Sequence, residues 1–127
     1  YQISYQSCNG YGVWMDSHHA TIIGKEDFEE GAFLVLGHVN NAGPESHSNE
    51  KTTNNQEIRL TQKFFKEIAS LMTNVDEIHL TGTGQAQEQF MKFLADTPQY
   101  KNAVSSESTS NKMSDENLIL YVERYFN

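Results

Sequence analysis

Cysteine is nearly absent from these 127 residues. Cys8 stands alone, so no disulfide can form within the chain and a disulfide-stabilised secreted scaffold is excluded. No cationic neighbour is present to lower its thiol pKa, which argues against a reactive nucleophile. Long apolar runs are missing as well. None approaches the roughly 18 to 20 residues that a membrane helix needs, so no membrane partner is expected. No signal peptide is visible, although a chain that opens on Tyr1 is compatible with one already removed, and the composition favours the cytoplasm. Basic residues are few, nine against seventeen acidic. The resulting net charge of −8 opposes non-specific attraction to nucleic acid and to anionic membranes.

Recognisable metal and cofactor patterns are also lacking. His18, His19, His38 and His47 follow no zinc-ligand spacing and have no cysteine pair to support them, so they read as solvated histidines of turns and loops. No Ser, His and Asp arrangement has local support for nucleophilic catalysis. No cofactor is expected.

What is present fits one domain of a size that folds without disulfides or metals. Residues 1–10 are polar and turn-rich and form an N-terminal arm; 11–127 make a single domain. A first strand is predicted over 11–16, where Val13, Trp14 and Met15 supply the branched and aromatic content that strands favour. Ser17, His18 and His19 make a turn into a second strand over 20–24, so the pair reads as a hairpin. Glu26, Asp27, Glu29 and Glu30 crowd the next connection. The run Phe33, Leu34, Val35, Leu36 predicts a third strand, within 31–39, buried on both faces.

Residues 40–55 hold almost nothing apolar and are expected to form a mobile loop. From Gln56 the period changes. Leu60, Phe64, Ile68 and Leu71 or Met72 recur at helical spacing, with Asn54 or Asn55 as a cap and Asn74 as a stop. A fourth strand over 75–81 turns at Gly82-Thr83-Gly84 into a second helix carrying Ala86, Phe90 and Phe93 or Leu94 on its buried face, ended by Asp96-Thr97-Pro98. A weaker fifth strand covers 103–108. The last helix has Ser114 as its N-cap, Asp115 and Glu116 at its positive end, and Met113 with Leu118 as a hydrophobic staple. Trp14, Phe33, Phe64, Phe65 and Phe90 are read as core.

This order, β-β-β-α-β-α-β-α, predicts an α/β fold with a mixed five-stranded sheet, strands four and five lying parallel to strand one. It matches the ribonuclease-H-like fold, which by itself specifies no activity.

More specific residues point to a family. Val13-Trp14-Met15-Asp16, the run from Ile78 through Gly82-Thr83-Gly84 to Ala86 with Phe90 and Leu94 downstream, and Ser114-Asp115 leading to Tyr125-Phe126 resemble bacterial translational machinery proteins, which are release-factor-like. Those are similar to the middle domain of archaeal and eukaryotic class-I release factors and of Pelota. The resemblance spans about residues 11–127 and implies a translation-associated role. Two departures accompany it. The family carries Gly-Pro-Gly followed by a lysine, where this chain has Gly82-Thr83-Gly84 and then Gln87. The release factors carry Gly-Gly-Gln before the first long helix, where this chain has Asn54-Asn55-Gln56.

Several residues compete as a site. Lys51, Arg59, Lys63 and Lys66 are four of the nine basic residues and fall within sixteen positions that hold one acid, Glu57. Together with Asn54, Asn55 and Gln56 they make a candidate contact surface for RNA or the ribosome, with a protein partner as the other reading. Capping of a helix is the plainer role for the two asparagines. The amides of the Gly82-Thr83-Gly84 turn form a candidate anion site at a helix start, against a plain reading of tight strand-to-helix packing. A hydrolase is the alternative to a binding domain, either a divergent peptidyl-tRNA hydrolase using Gln56 or a nuclease using Asp16 with Glu57, Glu67 or Asp115 around metal ions. Asp16 also suits a turn residue that accepts backbone hydrogen bonds.

Overall fold

The computed structural model describes residues 10–25, 32–41, 50–100 and 102–126, and in its first helix the side chains from residue 58 onward. Residues 1–9 of the expected N-terminal arm, with Cys8, and the loop residue His47 lie outside the described residues, while Gly10, expected in the arm, opens the first strand. Three strands come first, β1 (Gly10–Met15), β2 (His19–Lys25) and β3 (Phe33–Asn40). They are followed by α1 (Glu50–Ser70), β4 (Glu77–Gly82), α2 (Gln85–Asp96), β5 (Val104–Thr109) and α3 (Asp115–Phe126). The strands form one sheet in the order β3-β2-β1-β4-β5. β2 runs antiparallel to both β1 and β3, whereas β4 lies parallel to β1 and β5 parallel to β4. The α/β class, the order of elements and the mixed sheet are those expected.

The sheet has helices on both faces. Under α1 and α2 lies the larger core, where Val13, Met15, Ile22, Ile78 and Leu80 from the strands meet Phe64, Ile68 and Phe90. Phe64 and Phe65 are both buried, because Phe65 turns toward α2 and meets the ring of Phe90 at 5.2 Å between centroids. α3 covers the opposite face through Leu118 and Val122, packed with Trp14, Ile23 and Phe33. Close approach of α3 is possible because Gly12 has no side chain. A Cβ there would stand 2.3 Å from Val122 Cγ2.

Local chemistry explains the joints. Asp16 Oδ1 accepts the amides of His18 at 2.8 Å and His19 at 2.7 Å, which closes the β1–β2 turn. Ser114 Oγ accepts the Asn117 amide at 3.2 Å and caps α3. Asn74 takes φ 51° in the connection after α1, a conformation asparagine tolerates better than most residues. Tyr11 and Tyr100 tie that connection down, Tyr11 through its hydroxyl to Thr73 O at 2.9 Å and Tyr100 to Ala69 O at 2.8 Å.

Two expectations need correction. β3, expected to be buried on both faces, is an edge strand whose burial is incomplete. Its apolar run reflects packing on both faces, Val35 against the Trp14 cluster and Leu36 against the larger core, yet both remain only half-buried. Strand alternation puts the two on opposite faces, and the bulge opposite Ile22 and Ile23 interrupts the register just after Val35. The strand buried along its whole length is β1. The second correction concerns the expected loop over 40–55. α1 begins at Glu50, so Lys51, Asn54, Asn55 and Gln56 belong to its first turns and the asparagines do not cap it.

Candidate functional site

α1 projects its charged residues away from the core because the apolar stripe through Phe64, Phe65, Ile68 and Met72 fixes its rotation. Arg59, Lys63 and Lys66 are all exposed. They share one exposed face of the helix with Gln62, Glu67 and Ser70. The backbone rise from Arg59 to Lys66 is about 10 Å. By helical phase Asn55 and Gln56 stand one turn before Arg59, and Lys51 about two turns before it. The helix therefore brings the expected basic residues onto one element and leaves Gln56 on that element, not on a loop.

The Gly82-Thr83-Gly84 turn sits where β4 ends. Gly82 is a steric requirement: a Cβ there would lie 1.9 Å from the carbonyl oxygen of Met15, its neighbour on β1. Gly84 precedes α2 with φ 120°. Its amide is taken by Gln87 Oε1 at 3.1 Å, and Gln87 Nε2 donates to the carbonyl of Ser108 on β5. Gln87 is 2% exposed. Gln87 is thus an internal strut joining the turn to β5. The β1–β2 turn and the start of α2 both reach α1, since Ser17, Thr61 and Gln85 border a single small cleft. The chain just after α1 returns to Tyr11 at the start of β1, while the middle of the helix, at Thr61, therefore lies near the end of the sheet where β1 finishes.

Asp16 lies at the same end. Burial pushes its carboxyl pKa up, but the amides of His18 and His19 and the His19 ring outweigh that effect and hold it below the ordinary 3.8. Among the described residues no group of three or more His, Cys, Asp or Glu side chains is placed to hold a metal ion. His38 does not sit in a loop as expected: it projects from β3, and its Nε2 meets the Asp115 carboxylate at 3.0 Å.

Sequence reasoning missed the role of His79. This residue of β4 is 5% exposed and lies on the α3 face. Its Nδ1 is 2.8 Å from Ser106 Oγ, and its Nε2 is 2.9 Å from the Tyr121 hydroxyl and 3.1 Å from Ser108 Oγ. Thr81 and Ser110 extend the chain of hydroxyls through Ser108. Burial lowers the His79 pKa. α3 therefore binds the sheet in two ways, by apolar packing over β1–β3 and by hydroxyl hydrogen bonds over β4–β5. The visible signals were the alternating serines 106 and 108 and the i, i+4 tyrosines 121 and 125.

No known protein family is matched by the sequence, and no curated protein is similar to it at a significant level. Solved structures do match. An archaeal translation termination factor, aRF1, superposes with a TM-score of 0.59 at 13% identity over 91% of this chain and 34% of its own. The fold is shared. Thermoplasma acidophilum Pelota gives 0.56 at 18% identity over 86% of this chain and 30% of its own. Archaeoglobus fulgidus Pelota gives 0.59 at 10% identity over 96% of this chain and 33% of its own. The chain thus spans about a third of the length of these proteins and has the fold of a domain within them.

Proposed function

We propose that this chain is a non-catalytic, translation-associated domain that contacts ribosomal RNA through the basic face of α1. One observation carries the reading. In a chain of net charge −8, Arg59, Lys63 and Lys66 share one exposed face of α1, and they do so on a fold shared with a translation termination factor and Pelota. Lys51, Asn54, Asn55 and Gln56, which precede them on the same helix, are included in the proposed contact. Cations at this spacing suit successive phosphates of a nucleic-acid backbone, and the acidic remainder of the chain keeps such binding local and salt-sensitive.

Assignment to the bacterial release-factor-like proteins, and with it a cytoplasmic location, rests on the motifs around Trp14, Gly82-Thr83-Gly84 and Tyr125. No helix of the described residues is long and apolar enough to cross a membrane. The hydrolytic alternatives draw no support from the geometry, since Gln56 belongs to a helix and Asp16 is engaged in closing a turn. The Gly82-Thr83-Gly84 turn is better understood as packing than as an anion site, because Gln87 already accepts the Gly84 amide. Sedimentation with purified ribosomes tests the reading: co-migration at low salt that fades as salt rises is expected, and failure to co-migrate at any salt contradicts it.

A further inference from the structure

Trp14 is the only tryptophan of the chain. It sits in the central strand, 3% exposed, on the face covered by α3. Its indole Nε1 has no hydrogen-bond partner, and no other buried side-chain nitrogen or oxygen among the described residues is left that way. A buried indole N–H ordinarily finds an acceptor. On the same face His79 has partners at both ring nitrogens. The exception therefore stands out against a neighbourhood whose buried polar atoms are satisfied.

Trp14 also walls a cavity of about 330 Å³. The cavity opens near the end of β1, between the first turn of α3 and the strands β2 and β3. Met113 and Leu118 complete its apolar side. Thr21, Asn40 and Asp115 supply a polar edge holding both donors and acceptors, with Asp115 fixed by His38 at 3.0 Å, and the exposed Lys112 also lines the cavity.

Few ligand chemistries use all of these features. A saturated chain would leave the polar edge unpaired. An inorganic anion would ignore the apolar wall and meet the Asp115 carboxylate. A flat ring with donors and acceptors along its edge satisfies the wall and the edge together, and a phosphate attached to it finds its counter-charge in Lys112. The volume lies at the small end of ligand sites, which suits one nucleotide unit. We propose that this cavity binds a single nucleotide, its base against Trp14, Met113 and Leu118 and its phosphate toward Lys112. A free mononucleotide and an unstacked nucleotide of an RNA present the same chemistry. The inference does not rest on the basic face of α1, which lies on the other side of the sheet.

The experiment uses the single indole N–H resonance of the full chain as its probe. AMP, GMP, CMP, UMP and adenosine are titrated to about 10 mM, enough to fill a millimolar site, and a short single-stranded RNA is titrated separately. A saturable shift of the indole resonance is expected. Thr21→Val, which preserves the shape of a half-buried strand residue, should weaken every responding ligand about fivefold. Lys112→Ala should weaken the phosphorylated ligands about threefold and leave adenosine unchanged. Response to mononucleotides identifies a free nucleotide as the ligand, and response to RNA alone identifies an unstacked base. An indole resonance unmoved by every ligand overturns the proposal, as does a shift that neither variant weakens.

Discussion

His79 and Tyr125 stack face to face, with ring centroids 4.0 Å apart and planes inclined by 22°. The contact joins the interior of β4 to the last turn of α3, and Tyr125 also reaches Ser106 through its hydroxyl at 2.6 Å. The histidine is buried and hydrogen-bonded only to hydroxyls, so its neutral form is favoured and its pKa is lowered. In the unfolded chain the ring recovers its ordinary value of about 6.5 and takes up a proton first. Stability contributed by the neutral ring is therefore complete above about pH 6.5 and is lost as pH falls through the window below it. Urea unfolding should give a lower midpoint at about pH 5.5 than at about pH 7.5, and His79→Gln should flatten that difference. Asp16 acts in a separate window below its ordinary 3.8, so the two effects can be told apart.

Gln87 provides a second test. Its amide satisfies the Gly84 amide at one end and the Ser108 carbonyl at the other. Gln87→Met keeps much of the volume and removes both bonds, leaving two backbone groups without their partner. A loss of about 2 kcal/mol is expected, read from denaturant unfolding at constant m-value. A cost near zero would mean that this strut contributes nothing to the joint between the turn and β5.

The two glycines of the turn should behave differently. Gly82→Ala places a methyl against the Met15 carbonyl, where the backbone of the central strand cannot yield, and is expected to cost about 3 kcal/mol or more. Gly84 has open space around its Cβ position, so Gly84→Ala meets only backbone strain at φ 120°, about 1–3 kcal/mol. Thermal unfolding of the pair should rank Gly82→Ala as the more damaging. Reversal of that order would contradict the steric reading of the turn.

Much of this architecture was legible from periodicity. The helical stripe of α1, the caps of α3 and the sequence of elements follow from local patterns that the tertiary structure reinforces. The edge position of β3 was not legible, because the run Phe33 to Leu36 looks the same in an interior strand and in an edge strand flanked by helices on both faces. The early start of α1 was hidden for another reason: the segment from Lys51 to Gln56 has no apolar period to reveal it. Of the candidate site, the basic spacing of Arg59, Lys63 and Lys66 could be read directly. The burial of His79 could not, since its partners on β5 and α3 lie between 27 and 46 positions away along the chain.

Charge reversal on α1 tests the central claim most directly. The double variant Lys63→Glu, Lys66→Glu changes two exposed side chains and should leave the folded stability within about 0.5 kcal/mol of the parent. Co-sedimentation with ribosomes across a salt series is the measurement. Binding of the parent chain should weaken as salt rises, and the variant should bind more weakly at low salt with the slope of log K against log salt reduced by about two. Equal binding and an equal slope for parent and variant would contradict the assignment of the α1 face as the contact surface.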